Sequence, residues 1–206
     1  MKVILVNGSP HPNGCTATAL AEVAGALNGC GVATEQFWIG ARPISGCMAC
    51  GQCAETGQCV FTDQVNLLAA KLDGCDGIVF GSPVYYASPN GALLAFMDRL
   101  FYSAGDRLAH KPAAAVVSCR RGGATATFDA LNKYFTINSM PVVSSQYWNQ
   151  VHGNTPDEVR LDLEGMQTMR TLGRNMAWLL ACIEAGSAAG VKPPVPEPRT
   201  ATNFIR

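Results

Sequence analysis

The sequence predicts an α/β domain: a five-stranded parallel sheet of order 2-1-3-4-5 with helices packed on both faces. Three observations predict it. β-rich runs alternate with helical patterns five times along the chain, the order expected of repeated strand–helix–strand units. The strand runs are apolar throughout rather than alternating, as burial on both faces requires, which places helices on either side with right-handed crossovers. At 206 residues and 48% hydrophobic, the chain is long enough for one domain with a full core.

The first strand, Lys2 to Val6, is a short continuous apolar run, and an Ala-rich helix follows from Thr16 to Leu27. Val32 to Ile39 reads as the second strand. From Asp63 to Leu72, apolar Val65, Leu68, Ala69 and Leu72 recur at helical spacing. The third strand, Gly77 to Gly81, leads to a helix over Gly91 to Tyr102; the fourth, Ala113 to Ser118, leads to a helix over Thr125 to Phe135. A fifth strand is expected at Val142 to Tyr147 and a long closing helix at Leu163 to Ala185. Beyond Gly186, the run Gly190-Val191-Lys192-Pro193-Pro194-Val195-Pro196-Glu197-Pro198 holds too many prolines for a helix or central strand. Residues 1–186 therefore form the domain, with a Cys-rich loop at 45–60, and residues 187–206 form a Pro-rich tail. No internal repeat is present.

Fifteen Lys and Arg balance fifteen Asp and Glu. Zero net charge leaves no basic field to hold nucleic acid and no acidic bias to steer the chain onto basic partners. No apolar run reaches the roughly eighteen residues that span a bilayer. The opening Met1-Lys2-Val3-Ile4-Leu5-Val6-Asn7 lacks the basic region, long apolar region and small-residue cleavage site of a secretory signal. The expectation is a cytoplasmic protein with neither nucleic acid nor membrane as partner.

In a sheet of this order a ligand sits beyond the carboxyl ends of the strands, at the switch point between strands 1 and 3. Three loops meet there. Asn7-Gly8-Ser9-Pro10-His11-Pro12-Asn13-Gly14-Cys15-Thr16 delivers the chain into a helix N-terminus, where free backbone N–H groups and the positive end of the helix dipole suit a phosphate. Ser9 and Thr16 add hydroxyls; the plainer role for either is to cap the helix. The loop has neither the Lys-Ser/Thr of a Walker A motif nor a G-x-G-x-x-G, which leaves a monophosphate. The second loop, Gly81-Ser82-Pro83-Val84-Tyr85-Tyr86-Ala87-Ser88-Pro89-Asn90-Gly91, holds two tyrosines on a proline-stiffened turn, suited to stacking on a planar ring. In the third, Ser118-Cys119-Arg120-Arg121-Gly122-Gly123-Ala124-Thr125, paired glycines let backbone approach a flat ligand edge. A monophosphate cradle, a stacking loop and a glycine edge describe a flavin mononucleotide (FMN) site.

Cys47, Cys50, Cys53 and Cys59 form a C-x2-C-x2-C-x5-C run. Three thiolates spaced by two residues can curl around one small object and a fourth can close the shell, the ligand arithmetic of an iron–sulfur cluster. A structural zinc also takes four thiolates but usually from two separate pairs, and a disulfide framework needs an oxidising compartment. A loop of unligated thiols is the plainest alternative. Cys15, Cys30, Cys75, Cys119 and Cys182 are scattered and read as small buried hydrophobes.

The strand followed by Gly8-Ser9-Pro10 and Thr16, then Gly81-Ser82-Pro83-Val84-Tyr85 and Gly122-Gly123, resembles the NADPH-dependent FMN reductase group of flavodoxin-like proteins. The cysteine run with Gly57-Gln58-Cys59 resembles its iron–sulfur flavoprotein branch, whose compact motif binds a 4Fe–4S cluster. The resemblance implies phosphate contacts from the loop holding Ser9, Pro10, Asn13 and Thr16. It implies isoalloxazine contacts from Pro83, Val84, Tyr85 and Tyr86 and from the loop holding Ser118, Gly122 and Gly123, and a cluster on the four cysteines. Two positions depart from the family pattern: Cys15 stands where Asn is common, and Asp63-Gln64 where relatives carry paired aspartates. Trp148-Asn149 and His152-Gly153 also look family-like, as a lid or subunit contact, and a homodimer or homotetramer is implied.

The activity so implied is an FMN-dependent NAD(P)H oxidoreductase that passes electrons from nicotinamide through flavin to a small-molecule or protein acceptor, with the cluster as relay. Flavin carries that chemistry itself, so no catalytic side chain is assigned. Two other readings stand beside it: a non-enzymatic flavin electron carrier, and a zinc-stabilised binding module on the same scaffold.

Overall fold

Val3, Ile4, Leu5 and Val6 have no exposed surface in the computed structural model, which describes residues 1–198, 200–202 and 204. They form β1 (Lys2–Asn7), which lies between β2 (Ala33–Trp38) and β3 (Gly77–Tyr85). β3 pairs in turn with β5 (Ala113–Cys119), and β5 with β6 (Gln150–His152), all parallel. The resulting order, β2-β1-β3-β5-β6, is the predicted five-strand order, with a two-residue strand β4 (Ser88–Pro89) added antiparallel to the end of β3.

Alternation along β1 decides which helix covers which face. Val3 and Leu5 belong to the layer packed under α1 (Cys15–Gly29) and α7 (Leu163–Ala188). Ile4 and Val6 belong to the opposite layer with α3 (Gln64–Ala69), α4 (Gly91–Ala104) and α5 (Ala124–Ile137). In that layer Phe80 on β3 meets Phe101 and Phe135 at ring-centroid distances of 5.8 Å each. Two short helices complete the chain: α2 (Gln52–Thr56) in the cysteine loop, and α6 (Pro156–Leu161) after β6.

The fifth strand is displaced from its expected place. Residues 142–147 make one bridge, Val142 with Ala113, and then leave the sheet; pairing resumes where Val117 N donates to the Asn149 carbonyl at 2.9 Å. The cause is local: Ser145 Oγ donates to the Tyr147 carbonyl at 2.6 Å and lies 2.7 Å from Asn149 Oδ1, so a serine side chain turns the backbone outward over five residues. Tyr147 and Trp148 ride on this excursion, about half exposed.

The closing helix runs three residues past its expected end at Ala185, to Ala188, and residues 191–198 of the tail are exposed and without regular structure. Arg199, Asn203, Ile205 and Arg206 of that tail lie outside the described residues. Among the described residues no helix is long and apolar enough to cross a membrane. Of the scattered cysteines, Cys75 and Cys119 are buried, but Cys30 and Cys182 are exposed, because each falls on the solvent side of a helix end rather than on the core stripe.

Candidate functional site

β1, β3, β5 and β6 run in one direction, so their carboxyl ends bring four connections to one edge. There α1 begins without a side-chain cap and without an acidic residue in its first turn. Neither hydroxyl expected to cap it does so. Ser9 Oγ accepts from His11 N at 3.1 Å, and Thr16 Oγ1 pairs with Ser118 Oγ at 2.8 Å. The first N–H groups of α1 are therefore left without a side-chain cap, at the positive end of the helix dipole. The loop that precedes them is held from both sides: Trp38 Nε1 donates to the Ser9 carbonyl at 2.8 Å, and Asn90 Nδ2 donates to the Gly8 carbonyl at 2.8 Å.

This edge encloses a cavity of about 620 Å³, within the usual range for a small-molecule site. Ser9, Asn13, Thr16, Pro83, Val84, Tyr85 and Ser118 line it together. Pro10, Tyr86, Gly122 and Gly123 do not. For Tyr86 and Gly123 the reason is a hairpin. β3 continues past Gly81 to Tyr85 and turns back into β4 through Tyr86 and Ala87, both with positive φ (51° and 57°). That turn throws the Tyr86 ring fully into solvent. Gly123, at φ 92°, packs under the turn: a Cβ there would stand 2.7 Å from Ala87 Cα. The glycine supports the hairpin rather than facing the cavity, and Gly122 lies open to solvent.

The wall opposite comes from residues that composition alone does not single out: Gly153, Asn154, Thr155 and Pro156 after β6, with Cys15, Cys119 and Arg120. The family-like His152-Gly153 segment was the signal for this wall. Cys15 Sγ points at the Gly153 carbonyl at 3.7 Å, and burial pushes the thiols of Cys15 and Cys119 above their ordinary range.

The cysteine run folds into a separate hollow on α4. Left-handed turns at Ala49, Gly51 and Gly57 (φ 53°, 74° and 69°) curl the loop around α2. Cys47, Cys50, Cys53 and Cys59 all line one hollow with Phe61, Arg99 and Tyr102. Cys47 and Cys50 are exposed, whereas Cys59 is anchored: its N–H donates to Asn66 Oδ1 at 3.0 Å and its carbonyl accepts from Asn66 Nδ2 at 2.8 Å. Asp63 caps α3 by accepting from Val65 N at 3.1 Å and meets Arg99 at 2.7 Å. Free space in the hollow is about 20 Å³, room for one water. Among the described residues no three Cys, His or acidic groups are gathered closely enough to hold one metal ion. The two sites share no lining residue.

Comparison with known proteins finds relatives of the whole chain. An iron–sulfur flavoprotein of Methanocaldococcus jannaschii is 33% identical over 192 residues, covering 89% of this chain and all of that protein. An iron–sulfur flavoprotein of Methanosarcina thermophila is 26% identical over 189 residues, covering 89% of this chain and 97% of its own. The solved structure of a flavodoxin, WrbA-like protein from Agrobacterium tumefaciens superimposes with a TM-score of 0.64 at 17% identity, covering 88% of this chain and 98% of that one, a likeness of fold. The sequence profile of NADPH-dependent FMN reductases matches residues 1–155, and the chain belongs to that family.

Proposed function

We propose that this flavin-dependent oxidoreductase holds FMN in the cavity at the carboxyl edge of the sheet and takes its electrons from NADH or NADPH. A 4Fe–4S cluster on Cys47, Cys50, Cys53 and Cys59 would pass them to a small-molecule or protein acceptor. The observation that carries the reading is the uncapped start of α1, which opens with buried Ser9 and Thr16 into the cavity.

The residues present suit the cofactor. A phosphate monoester at the α1 N-terminus would receive backbone N–H groups and the hydroxyls of Ser9 and Thr16, with Asn13 at the mouth. The Thr16–Ser118 contact fixes the Thr16 rotamer before any ligand arrives, so little side-chain freedom is lost on binding. Pro83, Val84 and Tyr85 present an apolar wall to a planar ring, and Arg120 adds a cation at the rim. FMN, when bound, accepts a hydride from nicotinamide and releases electrons one at a time. The chain's own task is to bind, orient and exclude water.

At the second site the four thiols come from one loop in a tight run, the spacing that suits a multi-iron cluster, whereas zinc sites usually draw theirs from two separate pairs. Arg99, which borders the cysteines, lies about 12 Å along α4 from the helix start at Gly91, whose neighbour Asn90 holds the Gly8 carbonyl, given about 1.5 Å of rise per residue. Half-exposed Tyr147 and Trp148, and Trp178 at 68% exposure, support assembly as a homodimer or homotetramer.

The visible spectrum of anaerobically purified protein, with iron and acid-labile sulfide assays, tests the reading. Flavin bands on a broad iron–sulfur shoulder are expected, and NADPH added without oxygen bleaches the flavin. No bleaching would make the protein a carrier; zinc without iron, and no flavin, would make it a binding module.

A further inference from the structure

Arg99 heads the large fully buried side chains, 2% exposed, on the face of α4 turned to the cysteine loop. A buried guanidinium is costly unless its arms are paired. Here each is. Nη1 and Nη2 make a two-point fork with Asp63 at 2.7 and 2.8 Å, Nη1 also reaches the Ser45 carbonyl at 3.3 Å, and the group lies 4.7 Å from the centre of the Phe61 ring. The remaining donor, Nε, points at Cys59 Sγ at 3.1 Å.

Asp63 and Ser45 are enough to tie the loop to α4; a hydrogen bond to sulfur is not needed for that. Nor would Lys serve, since only the planar fork can satisfy a carboxylate on one side and a sulfur on the other. Three anchors thus converge on one cysteine: Arg99 on its sulfur, and Asn66 on both its N–H and its carbonyl. Cys53 is held more loosely, its Sγ 3.9 Å from the Tyr102 carbonyl and its own carbonyl accepting from Gly57 N at 2.9 Å, while Cys47 and Cys50 are exposed.

We infer that Arg99 is a positioning residue for the cluster: it fixes Cys59 Sγ, and by its charge and its Nε–H bond it raises the cluster's reduction potential, while Asp63 on the far side sets how much of that charge the sulfur feels. The inference rests on the 4Fe–4S reading above. The physical reason is that the reduced cluster carries one more negative charge, so a cation and a donor at a ligand sulfur stabilise it over the oxidised form. The two members of the fork therefore act with opposite sign.

The test is a dye-mediated redox titration of the cluster in the full flavin-loaded chain, followed by its paramagnetic resonance signal, with iron, sulfide and flavin counted in every sample. Wild type is measured first. Arg99→Met is expected to lower the potential by a tenfold bias against the reduced form, about 59 mV for one electron. Arg99→Lys, which keeps the charge but not the fork, is expected to fall between the two. Asp63→Asn, which keeps the helix cap, is expected to raise the potential. If Arg99→Met holds no cluster, the other two variants decide. Unchanged potentials in variants that retain iron and sulfide overturn the inference, as does a shift of the same sign from both sides of the fork. Wild-type protein without iron and sulfide instead removes the cluster reading itself, and the inference with it.

Discussion

The cavity at the sheet edge is walled by four strand ends and a helix terminus, whereas the cysteine hollow is made by one loop lying on the outside of α4. In the first, position is dictated by the core: Gly8 N donates to the Gly81 carbonyl at 2.9 Å, so the phosphate loop is an extension of the β1–β3 ladder. In the second, position depends on a few polar anchors, with Cys47 and Cys50 in solvent and Cys59 clamped. The difference teaches where each site stores its precision. The cavity is preorganised by burial; the hollow is organised from one fixed cysteine outward.

Removing that fixed cysteine should have the largest effect. Cys59→Ser is expected to abolish iron and sulfide while leaving flavin absorbance in place, read by metal analysis and the visible spectrum of one sample. Concurrent loss of flavin would show that the regions are not independent. Next comes backbone fit. In Gly8→Ala the new methyl would stand 2.8 Å from the Gly81 carbonyl oxygen and 2.9 Å from Leu93 Cβ, neither able to retreat cheaply. A loss of about 2–3 kcal/mol in urea unfolding is expected. The same change at Gly51, where nothing lies within 4 Å and only the φ of 74° resists, should cost about 1 kcal/mol. Equal costs would erase the contrast.

Thr16→Val comes third. It removes the partner of a buried Ser118 hydroxyl and the proposed phosphate donor. FMN affinity should weaken about tenfold, or about 1.4 kcal/mol, by fluorescence titration. The smallest effect is chemical rather than structural. Burial pushes the Cys119 thiol up, so at pH 8 less of it is thiolate. In iron-free protein, alkylation followed by mass spectrometry should label exposed Cys47 and Cys50 severalfold faster than Cys119. Labelling of Cys119 should still climb above pH 9, and labelling as fast as that of Cys47 would show the cavity wall to be open.

Most of the fold could be read from the chain because its determinants are local and repeated: apolar strand runs, helical spacing, and the alternation between them. The phosphate loop and the four cysteines were legible for the same reason, as contiguous residues of special type. The fifth strand was not, because Val142 and Val143 carry strand propensity while a serine hydroxyl two residues on spends its hydrogen bond turning the chain away. Arg99 was equally hidden. An arginine in a helical pattern reads as solvated, and only the fold brings Asp63 and Cys59 to it across 36 and 40 residues of sequence. Tyr86 and Gly123 show the opposite case: their residue types suit ligand contact, and the fold also places them in a tight turn and its support.

The broken fifth strand has a further consequence. A sheet that ends in a long, flat strand offers its unpaired amides to any other chain that arrives extended, and so invites growth into aggregates. Here the last strand, β6, is only three residues long, and the excursion before it leaves the border without a straight run of free donors and acceptors. The β6 margin of the sheet is thereby a poor template for a second copy, which leaves β2, six residues long, as the edge with the longer run of free backbone groups.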